Sequence, residues 1–183
     1  MTVNWLKLQH RSHEEFGSRL ASVTDWDAPT PDDGWSVGDL VRHVIDGQRA
    51  VPMLLAGSPA PASVGPEADL PAEWAHASRA ALAAWLSVPS GTTVRLSTDV
   101  VSAEDYLTEQ VADVTIHAWD LARATGTDDT LDAELVAATW TIYEPQQDTL
   151  SLSGLFAPAV PLPDDAPLQS RLLAVTGRDV RRH

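Results

Sequence analysis

Apolar residues along this chain recur mostly at steps of three and four, the spacing of helices that bury one face. From about Asn4 to Val23, the residues Trp5, Leu8, Phe16 and Leu20 keep that spacing and predict a first helix. "DAPTPDDG" stops it with two prolines, a glycine and turn-forming acids. A second helix is expected over "WSVGDLVRHVIDGQRAVPMLLAG". Ser36 is its cap, Asp39 three residues on completes a box, and Trp35 stands ahead as a hydrophobic staple. Pro52 should kink or end that helix, because proline removes a ladder hydrogen bond and clashes with the preceding turn.

The proline-rich "SPAPASVGPE" leads to a third helix, capped by Asp69 and opening with Pro71. "VPSGTTVRLSTDVV" predicts an extended connection or a small hairpin. Ser102 heads the fourth long helix, which should stop at Gly126. "TLDAELVAATWTIYEPQQ" gives a shorter fifth, and a proline-punctuated tail ends in a last short helix with Pro167 near its start. No repeat is visible and no boundary separates two cores, so residues 1–183 are read as one all-α domain. The expected architecture is a four-helix bundle with long crossover loops, notably between helices two, three and four, and extra short C-terminal helices.

Charge narrows the partners. The net charge is −14, from 26 acids against 12 Lys and Arg, which argues against nucleic acid or an anionic membrane as a partner. The terminal "GRDVRRH" is too short to count as a basic patch. There is no cysteine, so disulfides, thiolate zinc sites and cysteine nucleophiles are excluded, and any metal must be held by nitrogen and oxygen. "MTVNWLKLQHRSHEEF" lacks the layout of a secretory signal, and the longest apolar stretch, "AVPMLLAG", is too short to span a bilayer. A cytoplasmic protein is expected.

On the fourth helix, Asp113, His117, Asp120 and Ala124 share a stripe roughly 60° wide. On the second, Leu40, Gly47, Ala50 and Leu54 lie within about 60° of His43. That places His43 in an apolar stripe, with Gly47 leaving space beside the ring. Asp113 and His117 at i and i+4 can converge on one ion, and His43 from a facing helix would make two imidazoles and a carboxylate. This is the ligand count of a catalytic zinc site with one position open. Zinc is the first expectation, with nickel, iron and manganese as alternatives that accept the same donors. Spacing alone does not decide between this and a core histidine beside a solvated acid.

Asp120 has two readings: acceptor for a ligand imidazole, or an i+3 salt bridge to Arg123. Tyr106 and Gln110, nearer the helix start, are candidates for substrate contact or for a structural role. Trp119, Trp35, Trp85 and Trp140 read as core packing. His10 and His13, beside Arg11, Glu14 and Glu15, read as a solvated face; His76 lacks a convergent acid and His183 is terminal. Neither a nucleophile elbow nor a phosphate-cradling glycine loop is present.

Three blocks, "APTPDDGWSVGDLVRHVIDGQ", "DVTIHAWDLARATG" and "DAPLQSRLLAVTGRDV", resemble the actinobacterial metal-binding branch of the DinB-like superfamily. That branch is similar to the N-terminal domain of mycothiol-dependent maleylpyruvate isomerase. The resemblance implies a DinB-like four-helix bundle holding a divalent ion by one His of the second helix and an acid plus His of the later long helix. The matching positions are His43, Asp113 and His117. The isomerase has a further C-terminal domain supplying an active-site arginine, and this chain is expected to stop short of it. Many relatives carry Cys after "PTP", where Asp32 stands here, so no thiol chemistry comes from that loop.

The implied function is a metal-dependent enzyme that uses a low-molecular-weight thiol, mycothiol or similar, in transfer to or isomerisation of a small electrophile. The alternatives are a non-catalytic metal- or small-ligand-binding bundle, a metal-dependent hydrolase and, more remotely, an iron oxygenase with a two-His, one-carboxylate triad. The expected partner is a small-molecule substrate, and a homodimer is left open.

Overall fold

Asn4 starts the first helix by accepting the Lys7 backbone N–H on its side-chain oxygen, and α1 runs Trp5–Leu20. The computed structural model describes residues 3–97, 99–154, 156–163 and 165–181; His183 lies outside them. Ser36 and Asp39 form the expected capping box at the head of α2 (Val37–Leu55). Asp69 caps α3 (Leu70–Ser87) through the Ala72 N–H. A hairpin of β1 (Thr93–Leu96) and β2 (Asp99–Ser102) follows, with Thr93 opposite Ser102. Ser102 caps α4 (Ala103–Thr125), which ends at Gly126 in the left-handed conformation. After α5 (Ala133–Tyr143) and two single 3₁₀ turns comes α6 (Leu168–Val175).

Four helices form a ring in which α1 packs on α4 and α3, and α2 packs on α3 and α4. The connections 21–36 and 88–102 therefore join helices that are not ring neighbours, whereas the proline-rich loop after α2 joins adjacent ones. The long connections do include crossovers, but one of them precedes α2. The shared core holds Phe16, Leu40, Ile45, Trp119, Leu121 and Leu172, all almost fully buried. Each Leu, Ile or Phe buried this way contributes roughly 1.5–3 kcal/mol. α5 and α6 pack on each other, and α5 also lies against α4 and α1.

Two expectations are corrected here. Pro52 does not end α2 at its own position: the helix continues to Leu55, and the Ala56 N–H still bonds the Pro52 carbonyl. In the last turn a proline costs one ladder bond, and little helix remains to break. His13 is buried rather than solvated. The interior stripe of α1 runs through Leu8, Gln9, Ser12, His13 and Phe16, and the charged Arg11 and Glu14 flank that stripe without sharing it. His10 does lie exposed, 3.4 Å from Glu14.

Candidate metal centre

The loop ahead of α2 sets one wall. Its Thr30 N–H bonds the Trp35 carbonyl, the Val37 N–H bonds the Ala28 carbonyl, and the Thr30 hydroxyl bonds the Asp32 and Trp35 carbonyls. Folded in this way, the loop sets the half-buried Trp35 over the cluster. Its ring centroid lies 4.9 Å from that of His43, and 5.9 Å from that of His117, to which it is stacked at 15°. Trp35 is thus the cover of a polar site as well as a packing residue.

Below it, α2 and α4 bring His43, Asp113 and His117 together. The two Nε2 atoms lie 3.4 Å and 3.5 Å from Asp113 Oδ1, and one ligand atom from each residue falls within 4.8 Å of the others. The rings meet edge to face with centroids 5.0 Å apart. His43 is more open than a place in an apolar stripe predicts, with 44% of its side chain exposed, while His117 is buried. The trio therefore forms a floor with one wet side. A Cβ at Gly47 would meet Gln110 Oε1 at an ordinary 3.6 Å.

His117 Nδ1 lies 3.0 Å from Asp120 Oδ2, so the acceptor reading of Asp120 is the one the fold adopts. Arg123 pairs instead with Asp129, at 2.9 Å. Asp120 is fully buried, and its second partner is Arg178. The guanidinium donates from Nε to Asp120 Oδ1 at 3.2 Å, from Nη2 to Asp120 Oδ2 at 2.8 Å, and from Nη2 to Asp32 Oδ2 at 2.8 Å. Asp32, His117 and Asp120 form a second trio of close ligand atoms, but the guanidinium already bridges its two carboxylates. Sequence reasoning passed over Arg178 as part of a short basic tail. No spacing rule connects it with Asp120, 58 residues earlier.

The electrostatics follow from these contacts. Burial disfavours charge on His117, yet Asp113 and Asp120 outweigh it and raise the imidazole to about 10. Burial works against the Asp113 carboxylate too, but His117 and His43 hold it well below the usual carboxylate range. Asp120 is likewise lowered against its burial, by Arg178 first and then by His117.

Tyr106 and Gln110 are not at this level. Tyr106 is buried against Trp85, with ring centroids 5.6 Å apart, and burial pushes its phenol well above the usual tyrosine range. Gln110 Oε1 accepts from Gln48 Nε2 at 2.9 Å and joins a polar layer deeper in the bundle. Trp85, Trp119 and Trp140 are core residues as read, and His76 is exposed. Among the described residues, no helix is long and apolar enough to cross a membrane.

Two proteins described as uncharacterized, from the CDC 1551 and H37Rv strains of Mycobacterium tuberculosis, are each 32% identical over 185 residues. The alignments cover 96% of this chain and 98% of theirs. No solved structure matches it significantly. The sequence model described as the mycothiol maleylpyruvate isomerase N-terminal domain matches residues 8–122, a stretch that includes His43, Asp113, His117 and Asp120. With its all-α bundle, the chain belongs to this DinB-like, mycothiol-related family.

Proposed function

We propose that His43, Asp113 and His117 hold a divalent metal, zinc first, in an enzyme that joins a low-molecular-weight thiol to a small electrophile or isomerises one with the thiol's help. The observation that carries the reading is the convergence of two imidazole nitrogens and a carboxylate oxygen from two helices, within 4.8 Å and open on one side. The donor set fits: it is all nitrogen and oxygen in a chain without cysteine, and it matches a three-ligand zinc site. A bound ion supplies a Lewis acid that brings the pKa of an arriving thiol or water toward neutrality.

The chain's own residues do the rest. Asp120 accepts at Nδ1 of His117, so Nε2, beside Asp113 and His43, is the nitrogen that would lose its proton and hold an ion. Trp35 shields the two rings on one side, and the exposed edges of His43 and Asp113 leave the approach for a small molecule. The family's description supports mycothiol as the thiol to test.

Elemental analysis of the gently purified protein should find about one equivalent of transition metal, lost in His117→Ala. No metal after reconstitution would sink the reading. Metal-loaded protein should then consume mycothiol in the presence of a small electrophile. Full metal occupancy without thiol consumption would favour the non-catalytic bundle, and ester or amide cleavage by the same sample would favour a hydrolase.

A further inference from the structure

We propose that Arg178 is a positioning residue for His117: anchored on Asp32, it fixes the Asp120 carboxylate as the acceptor of the His117 Nδ1 proton and so aims Nε2 at the His43–Asp113 cluster. The family match ends at residue 122, so this arginine comes from outside the matched stretch. The chain delivers it by a defined route. Leu172 and Leu173 of α6 are fully buried in the core, and the Arg178 N–H bonds the Leu173 carbonyl at 2.9 Å. Gly177 makes the turn between them at φ +83°, where a Cβ would also strike Ala157 at 2.6 Å. Arg178 Nη1 then donates to the Thr176 carbonyl at 2.9 Å, which orients the guanidinium plane.

Asp120 could rotate if His117 were its only partner. The two-pronged guanidinium fixes both carboxylate oxygens, and geometry of this kind is what makes Arg–carboxylate pairs specific. Asp32 accepts from the same Nη2 that donates to Asp120, so the loop carrying Trp35 and the C-terminal segment are joined through the guanidinium. Outer partners of metal-bound histidines govern affinity in this way, and losing one typically costs 10–100-fold. The inference rests on the metal reading only for its effect on affinity; the orientation of the ring does not depend on it.

Nitrogen-15 spectra of the histidine rings and zinc titration against a competing chelator test it together. Wild type, metal-free or loaded, should show a downfield, exchange-protected Nδ1–H for His117, identified by its loss in His117→Gln. Arg178→Met should lose that protection and weaken zinc binding roughly tenfold to a hundredfold. The Arg178→Met/Asp120→Asn double variant should be no weaker than the worse single variant, because the arginine acts through the carboxylate. Arg178→Lys keeps the charge and most of the stem, and carries the test where Met does not fold; it should bind zinc several-fold more weakly than wild type.

A folded Arg178 variant with the protected Nδ1–H and wild-type zinc affinity overturns the proposal. Losses that multiply in the double variant overturn it as well. Wild-type protein that takes up no zinc overturns the metal reading instead, and the ring spectra then decide the role of Arg178 alone.

Discussion

His117 and His13 are both buried histidines on bundle helices, and the fold drives them in opposite directions. His117, 6% exposed, lies between Asp113 and Asp120 and is raised to about 10. His13, 5% exposed, is lowered to about 4, because burial disfavours its charge and the Gln48 hydrogen bond recovers only part of the loss. Around His13 the partners are neutral. Its Nε2 faces Gln48 Oε1 at 2.9 Å and also touches the Gln9 amide, while His13 Nδ1 and Gln9 Oε1 are buried without a partner among the described residues. Burial alone lowers an imidazole; a carboxylate beside each ring nitrogen reverses the direction.

Metal uptake is the strongest way to break this contrast. His117→Ala or His43→Ala should cost more than the roughly 100-fold upper range seen for outer partners, whereas His13→Ala should leave zinc affinity within about twofold, since it offers no ion a carboxylate. Equal losses at both positions, read by chelator competition, would mean that the bundle interior and not the trio controls binding.

Acid stability separates the pair next. His13 titrates near 4 when folded and near 6.5 when unfolded, so its contribution is complete above pH 6.5. The unfolded chain binds the proton first, and stability falls by about 2–3 kcal/mol by pH 4.5. Urea unfolding of metal-free protein at pH 7 and pH 4.5 should show that much less acid loss in His13→Gln than in wild type. An identical pH dependence would place a polar partner or water at His13 Nδ1.

Gly177→Ala should cost about 1–3 kcal/mol in the same urea experiment, since alanine is strained at φ +83° and meets Ala157. It should also weaken zinc binding, by displacing Arg178. A stability loss with unchanged affinity would separate the C-terminal turn from the site.

What the sequence made legible was local. Caps at Ser36, Asp69 and Ser102 and the stop at Gly126 are contacts between residues a few positions apart, and the helices begin and end where those residues stand. The i, i+4 step of Asp113 and His117 is of the same kind, and His43 was reachable because its helix had to turn one face to α4. Arg178 was not legible, since its partnership with Asp120 is made by α6 docking and a glycine turn far along the chain. His13 was misread because a polar residue on the buried stripe of α1 looks, in sequence, like its charged neighbours. Trp35 was read by its apolar bulk, which does not tell a core residue from the cover of a site.

The smallest effect is expected at a residue that the helical wheel sets on the same stripe. Tyr106 is seven residues before Asp113, two turns on α4, and so points within about 20° of it. Direction is shared, but depth is not: at 1.5 Å per residue the two are separated by roughly 10 Å along the axis. At that level the partner is Trp85, and the neighbours include Val51, Ala81 and Val94. Tyr106→Phe should therefore leave zinc affinity and thiol consumption within about twofold, while the same change of one polar atom at Asp120, to Asn, should be felt tenfold or more. Should Tyr106→Phe weaken zinc binding tenfold, the site would extend two turns down the bundle, and the boundary between the charged cluster and the neutral interior would have to be redrawn below Gln110.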